Sequence, residues 1–131
     1  MSDGADDELA SEWRELSARY AAVSGALEAE LRQRHGLGLT EFEALDRLAC
    51  AEQGKCRGTE LNEAVHLSQS AASRLVARLE RDGLVTRAMC EMDRRGIFVL
   101  LTETGWRRYR EANPTYRAVL AATLREPAAA Q

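Results

Sequence analysis

Apolar side chains recur at steps of four and three from Leu9 through Trp13, Leu16, Tyr20, Val23 and Leu27 to Leu31, the period of one stripe along a single long helix. His35-Gly36 predicts its end, since glycine readily takes the left-handed conformation that closes helices. Thr40 followed three residues later by Glu43 reads as a capping box for a second helix, with Phe42, Leu45, Leu48 and Ala49 inward as far as about Ala51. After the turn Glu52-Gln53-Gly54, Cys56-Arg57-Gly58 has room for a very short strand. Thr59 is then placed to cap a short third helix with Leu61 and Val65 inward.

Ser68 caps a fourth helix in which Ala72, Leu75, Val76 and Leu79 share one face while Gln69, Ser70, Ser73 and Arg74 fall largely on the other. Asp82-Gly83 stops it. Leu84–Cys90 and Ile97–Leu101 read as two strands joined by Glu91–Gly96, a hairpin with charge at its tip. Thr102 caps a further helix through Trp106 and Tyr109. Asn113-Pro114 predicts a break there, because proline lacks the amide proton and crowds the preceding turn. With Asn113 as cap and Pro114 as first residue, a new helix would follow, carrying Tyr116, Val119, Leu120 and Leu124, with residues 126–131 frayed.

This order predicts a mainly α chain with a small β-hairpin wing, a winged helix-turn-helix flanked by N- and C-terminal helices. A single domain spans 1–131: flanking helices at about 8–35 and 103–125, and the winged unit at about 40–101. Thr59–Val65, the turn His66-Leu67 and Ser68–Asp82 form the helix-turn-helix, the first helix bracing the second. Small residues opening the second helix let it sit deep against base edges. Arg74 suits guanine and Gln69 adenine, with Ser70 and Ser73 beside them, while Arg78, one turn further on, suits a phosphate. In the hairpin, Arg94 and Arg95 are placed to enter the minor groove or clamp phosphates, and Asp93 to hold Arg95 by a short-range ion pair. An isolated Arg-Arg is ordinarily a solvated surface pair; behind a capped helix and a strand, contact with DNA is the better reading.

The formal net charge of −3 runs against that reading until its distribution is considered. Residues 1–31 hold eight acids against Arg14 and Arg19, a net of −6 that leaves the other hundred residues at +3. The acidic end should therefore face away from DNA. At 131 residues and 45% hydrophobic composition the chain suits one domain, burying roughly two-thirds of its unfolded surface. It has neither a run of about 18 apolar residues nor a basic, apolar leader, so a cytoplasmic protein with no membrane contact is expected.

With these elements in place, the sequence resembles the MarR family of winged-helix transcriptional regulators. LTEFEALDRLA (39–49), GTELNEAVHLSQSAASRLVARLERDGLVTR (58–87) and DRRGIFVLLTETG (93–105) carry the likeness. The resemblance implies an obligate homodimer built from the terminal helices. It also implies binding to a pseudo-palindromic operator on double-stranded DNA, often as a repressor released by a small ligand or an oxidant. By position, 68–78 becomes the recognition helix and 93–95 the wing tip. The sequence ends soon after Leu124, so a short C-terminal dimerisation helix is expected.

The stripe itself also asks for a partner, being narrow, long and built of large side chains. Packing on the chain's own C-terminal helix is the ordinary solution. An interface between two copies, using Leu9, Trp13, Leu16, Tyr20 and Val23 with Tyr116 and Leu120, is the reading preferred here. Two-fold symmetry would then set two recognition helices about one DNA turn apart.

Three cysteines without C-x-x-C spacing suggest neither a disulfide framework nor a zinc ribbon. Cys90 adjoins the basic loop, and Cys56 stands between Lys55 and Arg57, whose charge favours thiolate; both are redox candidates, against the alternative of passive hydrophobes. Cys50 reads as a small core residue. A ligand pocket lined by Trp13, Tyr20 and Trp106 is the alternative sensor, against plain core packing. His35 and His66 show no ligand spacing, so no metal and no cofactor are expected. No phosphate loop, nucleophile elbow or zinc-protease motif suggests an enzyme. A winged helix used for protein contact would suit the overall acidity but would show large apolar anchors on the fourth helix.

Overall fold

Helix α1 (Asp3–His35) is 33 residues long, about 50 Å, and only its second half belongs to the core. Leu27 and Leu31 are buried, whereas Leu9, Trp13, Leu16 and Tyr20 are 58 to 74% exposed. The fold is that of a computed structural model, which describes residues 3–90 and 93–125, with Asp3, Cys90 and 93–95 described through the backbone alone. The elements after α1 are α2 (Leu39–Cys50), β1 (Lys55–Arg57), α3 (Gly58–Ala64), α4 (Gln69–Arg81), β2 (Val85–Cys90), β3 (Asp93–Leu101) and α5 (Glu103–Leu124).

The second half of α1 runs antiparallel to α5. Arg19 Nη2 donates to the Leu124 carbonyl at 3.0 Å. At the other end Arg108 Nη2 donates to the His35 carbonyl at 2.5 Å, and His35 Nε2 meets Thr115 Oγ1 at 2.7 Å. Residues before Arg19 therefore project past Leu124, and Leu9, Trp13 and Leu16 find no cover among the described residues.

Gly36, at φ +67°, turns the backbone so sharply that α2 begins at Leu39, not after Thr40. The expected capping box is replaced. Glu41 Oε1 accepts from the Gly38 amide and Glu28 Oε1 from the Leu39 amide, both at 2.7 Å. Early restart lets Leu37 enter the core, where Phe42, Leu45 and Leu48 join it fully buried. Each such side chain contributes about 1.5–3 kcal/mol by leaving water. Thr59 is likewise not a cap, because α3 starts one residue earlier and the Arg57 amide donates to Glu60 Oε1 at 3.2 Å.

The wing belongs to a three-stranded antiparallel sheet in the order β1-β3-β2, so the short segment around Cys56 is a strand. Asp93–Gly96, expected in the hairpin loop, lie in β3. Met89 pairs with Ile97 and Cys90 with Asp93, so Arg94, Arg95 and Gly96 form a bulge opposite one step of β2. A bulge bends a strand and re-aims its side chains, which sequence alternation does not reveal.

Helix α5 runs unbroken through Pro114, contrary to the expected break at Asn113-Pro114. An interior proline costs about 3 kcal/mol, and packing on both sides of it offsets that. Ala112 is fully buried, while Tyr109 and Tyr116 lie against Phe42 with ring centroids 5.5 Å and 4.6 Å away. Asn113 caps nothing; its Oδ1 is buried without a hydrogen-bond partner among the described residues.

Candidate nucleic-acid interface

Leu61 and Val65 of α3 and its turn share one buried core cluster with Leu75, Val76 and Leu79 of α4, and Ala72 is buried on the same face of α4. His66, at φ +55°, makes the sharp turn between them. Ser68 Oγ accepts from the Ala71 amide at 3.2 Å and starts α4 where the sequence places it. The helix ends with the Leu84 amide on the Leu79 carbonyl at 2.9 Å and the Gly83 amide on the Glu80 carbonyl at 3.0 Å, Gly83 taking φ +78°.

Burying one face leaves the other outward. Gln69, Ser70, Ser73, Arg74 and Arg78 are all exposed on α4. Among the described residues the side chains of the first four make no hydrogen bond, whereas Arg78 Nε donates to Glu41 Oε2 at 3.2 Å. On the wing side, Arg87 of β2 reaches back to Glu80 of α4 with Nε and Nη2 at 3.1 and 2.9 Å. A cavity of about 370 Å³ separates α4 from the wing, with Gln69 and Ser73 on one wall, Arg87 and Ile97 on the other, and Val76 and Val99 at its floor. Asp93, Arg94 and Arg95 share the wing's far end, but their side chains lie outside the described residues.

Sequence reasoning missed Glu41, Glu80 and Arg87. Gly38-x-x-Glu41 has the same spacing as Thr40-x-x-Glu43 and was a legible rival for the cap. Glu43 instead lies half-buried, and that burial pushes its carboxyl pKa up. The Glu80–Arg87 pair, seven residues apart across a turn, has no sequence signature.

Two cysteine expectations are corrected. Cys56 is buried on the inner side of β1 and burial pushes its thiol pKa up, so its charged sequence neighbours do not favour thiolate. Lys55 and Arg57 turn to the opposite side of the strand, over the Phe98 ring at 5.3 and 5.5 Å. Cys50, expected in the core, is exposed at the end of α2. The Cys90 thiol lies outside the described residues.

The aromatic pocket is not formed as expected. Trp13 and Tyr20 stand exposed on the projecting part of α1, while Trp106 packs so closely over Gly54 that a Cβ there would lie 2.8 Å from its ring. The cavity beside Trp106 is lined by Glu103, Arg107 and Arg110. Among the described residues, no helix is long and apolar enough to cross a membrane.

The MarR family model matches residues 35–96, the stretch from the end of α1 to the wing. No curated protein matches the sequence. Among solved structures, AbsC, a MarR family transcriptional regulator from Streptomyces coelicolor, is 33% identical with a TM-score of 0.80, over 86% of this chain and 75% of that one. Sco3205, a MarR family regulator from the same organism in complex with DNA, is 28% identical with a TM-score of 0.83, over 94% and 76%. CouR from Rhodococcus jostii RHA1, bound to p-coumaroyl-CoA, is 29% identical with a TM-score of 0.73, over 82% and 73%. Shared winged-helix architecture and identity at this coverage make the chain a member of the MarR family, whose role is DNA-binding transcriptional regulation rather than catalysis.

Proposed function

We propose that the protein is a homodimeric repressor that binds a pseudo-palindromic operator and is released by a small ligand. The observation that carries this reading is the outward face of α4, where Gln69, Ser70, Ser73 and Arg74 are exposed together behind the Ser68 cap. These groups match base edges, with Arg78 and the wing-tip Arg94 and Arg95, beside Asp93, serving the backbone. Sco3205, which shares this fold, is seen with DNA. Acting on the chromosome places the protein in the cytoplasm.

The dimer is favoured by the uncovered stripe Leu9, Trp13, Leu16 and Tyr20, which extends the partly covered Val23 and Leu120. Tyr116 contributes less to it than its position in the sequence suggests, since it lies against Phe42 within the chain. In this reading 8–35 and 103–125 form the dimerisation region and 40–101 the reading head. The acids of the α1 N-terminal half then lie on the projecting end of that region. CouR, bound to p-coumaroyl-CoA, supports a small-molecule effector. Oxidation is the second route to release, and Cys90 is its better candidate because Cys56 is buried.

A winged helix that binds protein without specific DNA contact is the competing reading, favoured by the net charge of −3. Titrating a random-sequence duplex across a salt series separates the two. Affinity falling steeply with salt supports phosphate contact, and absence of binding even at low salt supports the protein partner.

A further inference from the structure

We propose that Glu41 is a positioning residue for DNA binding, aiming the Arg78 guanidinium of the recognition helix at the phosphate backbone. The proposal rests on the DNA-binding reading and adds a residue that does not itself touch DNA.

Glu41 is 8% exposed, and it is the buried charged side chain among the described residues. A carboxylate withdrawn from water is tolerated only where its oxygens are satisfied. Here both are: Oε1 accepts from the Gly38 amide at 2.7 Å and Oε2 from Arg78 Nε at 3.2 Å. The two side chains differ in exposure, 10% for Glu41 and 47% for Arg78, so the carboxylate is the anchor and the guanidinium the outward group. Contact through Nε leaves the terminal nitrogens of the planar fork to a second, bidentate acceptor, and phosphate matches that geometry.

The anchor stands on a fixed platform. Glu28 of α1 takes the Leu39 amide at 2.7 Å and pairs with Arg32, and both that backbone bond and Arg32 hold its carboxyl pKa below the usual range. Gly38 is packed so closely on Arg32 that a Cβ there would lie 2.7 Å from its Nη2. The first turn of α2 is thus pinned to α1, and the carboxylate pinned to that turn. An arginine held from there reaches a phosphate with less rotamer entropy to lose than a free one.

Because a phosphate contact is indifferent to sequence, the probe is a fluorescein-labelled random duplex of about three helical turns, titrated with the full-length protein across a salt series. Glu41→Gln keeps an acceptor for the Gly38 amide but loses the charge facing Arg78. It is expected to weaken binding about fivefold and to reduce the salt slope by about one, as Arg78→Ala should, and Arg78→Ala/Glu41→Gln should be no weaker than Arg78→Ala alone. Loss of affinity by Glu41→Gln that persists in full in the Arg78→Ala background, or that leaves the slope unchanged, would mark Glu41 as merely structural. A rise in affinity would show that Glu41 competes with phosphate for Arg78. Either result overturns the proposal.

Arg78→Lys gives an independent check. Lysine keeps the charge, and with it the salt slope, but has no fork with which to hold Glu41 and a phosphate at fixed angles, so Glu41→Gln should change affinity much less in the Arg78→Lys background than in the wild type. An effect of Glu41→Gln that is undiminished in Arg78→Lys also overturns the proposal. Wild-type protein that ignores the duplex at low salt would instead remove the DNA reading itself, and Glu41's role with it.

Discussion

The Tyr109 hydroxyl donates to Asp46 Oδ1 at 2.8 Å, joining α5 to α2 beside the Phe42 ring. Burial, then that bond to a carboxylate, push the Tyr109 phenol pKa up to about 12 from an ordinary 10.0. The folded state therefore holds this proton more tightly than the unfolded chain. The associated stability is full below about pH 10 and is lost as pH rises toward 12. Thermal melts at rising pH should show the melting temperature falling through that window, and falling less in Tyr109→Phe. Tyr116, whose phenol burial also pushes up, accounts for a residual slope. Equal slopes in both proteins would exclude Tyr109 as the titrating group.

Gly105→Ala is expected to cost at least about 2 kcal/mol, because backbone must move to admit it. A Cβ there would lie 2.1 Å from the Leu84 carbonyl, which also accepts from the Thr102 amide at 3.1 Å. Urea titration measures the loss. A midpoint within error of wild type would mean that the wing-to-α5 junction is looser than described.

Leu16→Glu should yield a folded monomer. Leu16 is 58% exposed, so the change removes nothing from the chain's own core while placing charge in the proposed interface. Sedimentation of the variant at half the wild-type mass, with helical content preserved, is the expected result. A wild-type protein that is itself monomeric, or a variant of unchanged mass, rejects the interface.

Arg74→Ala is expected to cost about 1–3 kcal/mol of operator binding and to relax base preference. Arg94→Ala should weaken binding with less change in specificity. Selection of bound genomic fragments by wild type and both variants measures the two effects together. Unaltered affinity and preference in both would remove these residues from the interface.

Native alkylation should label Cys50 well before Cys56. The first is exposed, while the second is 5% exposed with its thiol pKa raised by burial. Mass mapping of peptides after brief iodoacetamide treatment reads the order. For release by oxidation, Cys90→Ser should abolish any peroxide-induced loss of DNA affinity and Cys56→Ser should preserve it; the opposite pattern would restore Cys56 as the sensor.

The sequence alone was enough for elements whose signals are local. Ser68, Gly83 and Thr102 mark helix ends through hydrogen bonds spanning three to five residues, and the apolar period of α4 selects its buried face without reference to the rest of the chain. The family, the winged helix-turn-helix and the exposed set on α4 follow from these. Tertiary structure decided whatever depends on contacts distant in sequence. Pro114 stays helical because Phe42 and His35 hold the residues around it, and Cys56 is buried because β1 pairs with β3. Glu41 takes the cap from Thr40–Glu43 and reaches Arg78, 37 residues away, because Gly36 folds α2 back early. Local propensities near such sites are worth about 1 kcal/mol or less, and about 3 kcal/mol at an interior proline, which burial of a few side chains readily exceeds.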